Sequence, residues 1–160
     1  MIIYHGRTDI VKIPRIIKTY TGRDFGAGFY TTSIREQAVK WSIRQAIYRK
    51  KADAILNSYE LNDSIFQNLK AKTFDGYSME WLDFVVSCRQ YADFLHDYDL
   101  IKGKIANDDV GETIQAVVDG LTSKDFALSK LVFMHANDQI CLSTDNALVY
   151  LKFISAEKVN

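Results

Sequence analysis

The residues of this 160-residue chain best placed to do chemistry centre on Asp24-Phe25-Gly26-Ala27-Gly28-Phe29-Tyr30-Thr31-Thr32. Glycines stand ahead of an aromatic, β-prone run, which passes into a helical pattern at Ser33. Gly26 and Gly28 have access to backbone dihedrals closed to other residues and let a bulky partner approach the main chain. In an extended Phe29-Tyr30-Thr31-Thr32, successive side chains point to opposite faces, so one ring enters the core while the other faces a cleft. Backbone freedom, an exposed ring and a rigid support together suit a ligand site. Arg15, Lys18 and Arg23 put positive charge near the stretch, which favours a phosphate-bearing ligand.

These residues need elements to hold them. Ile2 to Tyr4 reads as a short strand ending at His5-Gly6, and Ile10 to Ile13 as a second extended piece ahead of Pro14. Ser33 and Glu36 have capping-box spacing. The helix they open runs to about Lys50, with Ile34, Ala38, Trp41, Gln45 and Tyr48 on one stripe and Trp41 in the core. Ala54 to Leu61 reads as a strand, Asn62-Asp63 as a turn, and Ile65 to Leu69 as a further strand. Ser78 caps a second helix whose apolar stripe is Trp81, Val85, Cys88, Ala92 and Leu95. Tyr98 to Ile101 returns to strand character. Asp109 and Glu112 repeat the capping-box spacing before a helix that stops near Gly120, and a fourth helix starts at Ser123 with Phe126, Leu128, Leu131 and Val132 in its pattern. Asn137 to Leu142 reads as a polar entry into a buried strand, and Ala147 to Ile154 as another apolar segment. With no repeat or linker, the whole is one domain, residues 1–160, of α+β class.

Composition excludes several functions. Lys plus Arg and Asp plus Glu both number 20, so no global field favours nucleic acid or an anionic membrane, although a local basic patch remains compatible with that balance. The start of the chain lacks a secretory pattern and no apolar run reaches membrane length, which reads as a cytoplasmic protein with no membrane partner. Cys88 and Cys141 form no Cys-x-x-Cys pair and read as buried free thiols. His5, His96 and His135 show no metal-ligand spacing. There is no phosphate-binding loop or nucleophile elbow, and Gly26-x-Gly28 lacks the third glycine of a dinucleotide-binding fingerprint.

Three stretches in order carry a resemblance. Tyr4-His5-Gly6, then Phe25 through Thr32, then Asn137-Asp138-Gln139-Ile140 resemble the three motifs of the His-Tyr-Glu branch of the ADP-ribosyltransferase superfamily. Tyr98 through Gly103 and Ala106-Asn107-Asp108 resemble a segment of a small, poorly characterised bacterial family placed in that superfamily, whose members often look like the toxin half of a toxin–antitoxin pair. The resemblance implies a split β-sheet with surrounding helices that grips NAD as a substrate, without metal. It implies a mono-ADP-ribosyltransferase that releases nicotinamide and modifies an unidentified protein or nucleic-acid target, with an antitoxin as a second partner.

It also implies roles. Tyr30 stacks on the departing nicotinamide ring, a contact of about 0.5–2 kcal/mol. His5 hydrogen-bonds a hydroxyl of the adenosine ribose, Gly6 leaves its main chain open to the nicotinamide amide, and Gln139 orients the other ribose. Arg7, Gly28 and Thr31 join the NAD contacts; Asn107, Asp108 and Asn137 lie on the acceptor side. Two residues depart from the pattern. Gln139 stands where many such transferases have Glu, and it lacks the charge that stabilises an oxocarbenium-like state. Asn137 and Gln139 replace the Glu-x-Glu pair of arginine-modifying members, so arginine is not the expected acceptor. An NAD glycohydrolase and a catalytically weak NAD-binding module are the alternatives; on the latter, Gln139→Glu raises turnover.

Overall fold

The computed structural model describes residues 1–18, 22–91, 94–106, 109–131 and 137–160. Strand β1 (Ile2–Arg7) pairs antiparallel with β3 (Ala54–Leu61), and β3 pairs antiparallel with β7 (Leu151–Val159), making a three-stranded sheet. A second sheet runs β2 (Phe29–Thr31), β6 (Gln139–Leu142), β5 (Leu100–Gly103) and β4 (Ala71–Thr73) in that order, with only the β4–β5 pair parallel. The two sheets meet where Tyr4 and Thr32 form a bridge and exchange backbone hydrogen bonds of 2.8 and 3.0 Å. Six helices are present among the described residues, so the fold is mixed α and β with two sheets.

Helix α1 (Arg35–Tyr48) lies on β1 and β3, and it packs by its smallest side chains. Ala38, Ser42 and Ala46, spaced by four, are its buried residues. Small residues let the helix come close: a Cβ at Gly6 would meet the Ala38 carbonyl oxygen at 2.2 Å and the Ser42 nitrogen at 2.9 Å. Gly6 is therefore required by the β1–α1 contact. The expected stripe is displaced, since Trp41 is 45% and Tyr48 83% exposed. Nor does Ser33 cap the helix, because its hydroxyl donates to Asp138 Oδ2 at 2.5 Å and the N-cap is Ile34.

Helices α3 (Met79–Gln90), α4 (Asp109–Val118) and α5 (Lys124–Leu131) accompany the second sheet. Trp81, Leu82, Val85, Val110, Ile114, Ala127 and Leu131 join Phe25, Ile101 and Cys141 in one core. Ser78 caps α3 as expected, accepting from the Trp81 amide at 3.1 Å. A second core between the sheets holds Ile3, Phe29, Tyr59, Leu61, Leu100, Ile140 and Leu142. Helices α2 (Ile65–Asn68) and α6 (Asp145–Leu148) are single turns.

Other departures have local causes. Ile65 to Leu69 is helical because Asn62 Oδ1 accepts from the Ser64 amide at 3.0 Å and turns the chain into α2. Ile10 to Ile13 forms no strand: the Val11 amide donates to Asn57 Oδ1 and the Val11 carbonyl accepts from the Tyr59 hydroxyl. Phe126 and Leu95 are exposed, outside the stripes expected of them. Ala92, Val132 and His135 lie outside the described residues. Cys88 and Cys141 are buried free thiols. Among the described residues no helix is long and apolar enough to cross a membrane.

Candidate functional site

A cleft of ≈ 500 Å³ opens where β1, β2, the start of β6 and α1 converge. His5, Gly6, Arg7, Gly28, Tyr30, Thr31 and Gln139 all line it, so residues far apart in sequence reach one site. Asn137 is not among the lining residues. It ties the loop before β6 to its surroundings, with Nδ2 donating to the Tyr77 hydroxyl at 2.9 Å and Oδ1 accepting from the Ile105 amide at 2.9 Å. Asn107 and Asp108 lie outside the described residues.

The tautomer of His5 follows from its partner. Its Nδ1 lies 2.7 Å from the Tyr30 carbonyl oxygen, which only accepts, so Nδ1 carries the proton and Nε2 is a bare acceptor. That Nε2 is buried and has no hydrogen-bond partner. Burial lowers the pKa of the ring from 6.5 to about 4, holding it neutral. Phe29 braces it, with ring centroids 4.5 Å apart.

Register sorts the β2 side chains as alternation requires. Phe29 and Thr31 pair with Leu142 and Ile140, and Phe29 is buried between the sheets. Thr31 donates its hydroxyl proton to the Ile140 carbonyl at 2.9 Å, a structural commitment. Tyr30 pairs with Cys141 on the opposite face and lines the cleft. Its hydroxyl donates to the Gly26 carbonyl at 2.5 Å and accepts from the Phe25 amide at 3.2 Å, which closes the glycine turn on itself. Desolvation raises its pKa, so the phenol stays protonated. The Arg23 guanidinium sits over the ring, 5.1 Å from its centroid. Tyr30 thus presents its face to a planar cation in this structure, and that cation belongs to the chain itself. Gly28 is needed for packing: a Cβ there would meet Cys141 Sγ at 2.3 Å and the Leu142 carbonyl oxygen at 2.9 Å.

A family model described as "Protein of unknown function (DUF3990)" matches residues 1–153. The chain belongs to the DUF3990 family. No curated protein and no solved structure matches it.

In this DUF3990 chain the residues that sequence reasoning missed are Asp24 and Arg89. Arg89 donates to Asp24 Oδ1 from Nε at 3.0 Å and from Nη2 at 2.6 Å, and Nη2 also reaches the Ala106 carbonyl at 2.6 Å. Asp24 Oδ2 accepts from the Ala106 amide at 2.8 Å and from Gln139 Nε2 at 3.4 Å. A carboxylate only accepts, so it turns the Gln139 amide with NH₂ toward itself and leaves Oε1 as the group not facing it. A signal existed in α3: Arg89 lies four residues after Val85, a charge on the buried stripe, and such a charge needs a partner.

The cleft is also strongly basic. Among the described residues, Arg7, Arg23, Lys40, Arg44, Arg49 and Arg89 line it against one acid, Asp24, in a chain of zero formal charge. Among the described residues no group of three or more His, Cys, Asp or Glu side chains is placed to hold a metal ion.

Proposed function

We propose that this chain is an NAD-dependent mono-ADP-ribosyltransferase of the ADP-ribosyltransferase-like split-sheet fold, acting as a toxin-like effector on a macromolecular acceptor. The observation that carries the reading is the unpartnered Nε2 of a neutral His5, in the wall of a basic cleft shared with Tyr30 and Gln139. A buried acceptor without a donor costs about 1–3 kcal/mol, and a ribose hydroxyl relieves that cost. Cations on the same walls suit a pyrophosphate. The ring of Tyr30, which already faces a guanidinium, suits a pyridinium once Arg23 moves aside.

In the reaction, the bond from ribose C1 to the nicotinamide nitrogen breaks with its electron pair leaving on nicotinamide. A lone pair of the acceptor forms the new bond to C1, and the acceptor's proton passes to solvent. Positive charge accumulates on the ribose between these events. Asp24 supplies a carboxylate beside Gln139, the position where related transferases carry Glu, so hydrogen-bond acceptor and negative charge are divided between two side chains. Arg89 offsets much of that charge, which favours a slow enzyme or, as a second reading, an NAD-binding module.

The test is nicotinamide release from NAD by the purified chain, with and without bacterial lysate, followed by mass spectrometry for added ADP-ribose. Lysate-dependent release with a modified macromolecule is the expected result. Release without an acceptor assigns a glycohydrolase, binding without release assigns the binding module, and no NAD binding removes the reading.

A further inference from the structure

The net charge of zero conceals a strong asymmetry. Residues 35–51 hold six of the 20 Lys and Arg residues and one of the 20 Asp and Glu residues. Arg35 is paired with Glu157 at 2.7 Å, away from the cleft lining. Lys40, Arg44 and Arg49 are exposed and stand on the cleft wall. Between and beside them are two aromatic side chains that the fold leaves in solvent, Trp41 at 45% and Tyr48 at 83% exposure. Their seven-residue spacing puts both on one face of α1, about 10 Å apart along its axis. Ala38, Ser42 and Ala46 form the seam that packs on Gly6; Lys40 and Arg44 lie opposite that seam, and the two rings stand on its flank, in solvent.

An amphipathic helix ordinarily turns its rings inward. Here the buried stripe consists of small residues and the rings are interleaved with cations. That alternation matches a polyanion whose bases are free to stack: cations track the phosphates, while rings take bases without regard to sequence. A duplex keeps its bases paired and has no equivalent use for the two rings. A protein acceptor would need an acidic patch to meet this surface, whereas the alternation of cation and ring along one helix face matches the alternation of phosphate and base along a single strand.

We propose that the outward face of α1, formed by Lys40, Trp41, Arg44 and Tyr48 with Arg49 just past its end, docks single-stranded nucleic acid at the mouth of the cleft. That the docked strand is the ADP-ribose acceptor rests on the proposed function; the docking does not.

Fluorescence anisotropy with labelled mixed-sequence single-stranded RNA and DNA oligonucleotides, in the absence of NAD, tests the docking. Wild type is expected to bind single strands in preference to the matching duplex. Trp41→Ala with Tyr48→Ala weakens binding about tenfold or more. Lys40→Glu with Arg44→Glu lowers the slope of log affinity against log salt by about 1.4, two phosphate contacts' worth. All four side chains are exposed, and thermal melts confirm folding of each variant. Lys152→Glu, an exposed charge reversal on β7, leaves affinity near wild type. The proposal is overturned by absence of oligonucleotide binding, by a duplex bound as tightly, or by the Lys152 control losing as much as the α1 variants. Oligonucleotide binding without nicotinamide release would retain the docking surface and remove the transferase reading.

Discussion

His5 shows how one side chain is set by a single neighbour. The Tyr30 carbonyl fixes its tautomer, burial keeps it neutral, and Nε2 is left as an acceptor that a donor such as a hydroxyl satisfies. Gln139 is set in the same way by Asp24, 3.4 Å away. This reverses the expectation that Gln139→Glu raises turnover. A glutamate there places a second carboxylate against Asp24, so the substitution is expected to destabilise the fold by about 1–3 kcal/mol and to slow nicotinamide release. Asp24→Asn alone strands Arg89 and costs about 3–5 kcal/mol. Combined, the two substitutions move the charge from one position to the other. The double variant is expected to be more stable than the sum of the singles by about 1 kcal/mol or more, read by urea unfolding as a double-mutant cycle. Strict additivity would mean that the two side chains do not interact.

At the scale of elements, the β1–α1 contact is the strictest. A methyl at Gly6 meets backbone on the facing helix, which has no rotamer to yield. Gly6→Ala is therefore expected to destabilise by about 3 kcal/mol or more in urea titration, well beyond an exposed Gly→Ala change. A loss near zero would show that α1 shifts freely. The capping serine of α3 is a milder case: Ser78→Ala is expected to cost about 1 kcal/mol, with a lowered thermal midpoint and an unchanged NAD affinity.

The same elements show what was legible in the sequence. β3 occupies the segment expected of it, because its β-forming residues Ile55, Leu56, Tyr59 and Leu61 and the Asn62-Asp63 turn after it are local signals. That Phe29 and Tyr30 point to opposite faces was legible because strand alternation alone decides it; which ring enters the core was not, because the paired strand decides that. The orientation of α1 was not. Periodicity placed Trp41 inward, whereas the helix chose the side on which Ala38, Ser42 and Ala46 admit Gly6, a preference that only the partner strand reveals. Nor was the Ser33–Asp138 contact, spanning 105 residues, visible as a rival to the capping box. For the site, the three motifs held His5, Gly6, Gly28, Tyr30, Thr31 and Gln139 of the cleft lining but not its α1 wall, and the Asp24–Arg89 pair required knowing that α3 brings Arg89 to the cleft.

For the molecule as a whole, acidification acts through His5. Between pH 6.5 and about 4 the unfolded chain binds a proton at this imidazole and the folded chain does not, so stability rises with pH across that window and is lost as pH falls through it. The contribution approaches about 3 kcal/mol at most. His5→Phe removes this share of the acid sensitivity, measurable as a flatter dependence of unfolding free energy on pH, and an unchanged profile would place the titration elsewhere. The wider organisation is two sheets joined at the Tyr4–Thr32 bridge, with the cleft beside that joint and the basic face of α1 above it.

The most direct test of the central claim compares nicotinamide release from NAD by wild type and Tyr30→Ala in the presence of acceptor, each shown to be folded by its melting curve. Wild type is expected to release nicotinamide measurably and Tyr30→Ala to lose that release, with NAD binding weakened as well. Equal release by both proteins would contradict it, because the aromatic face at position 30 would then have no part in holding the departing ring.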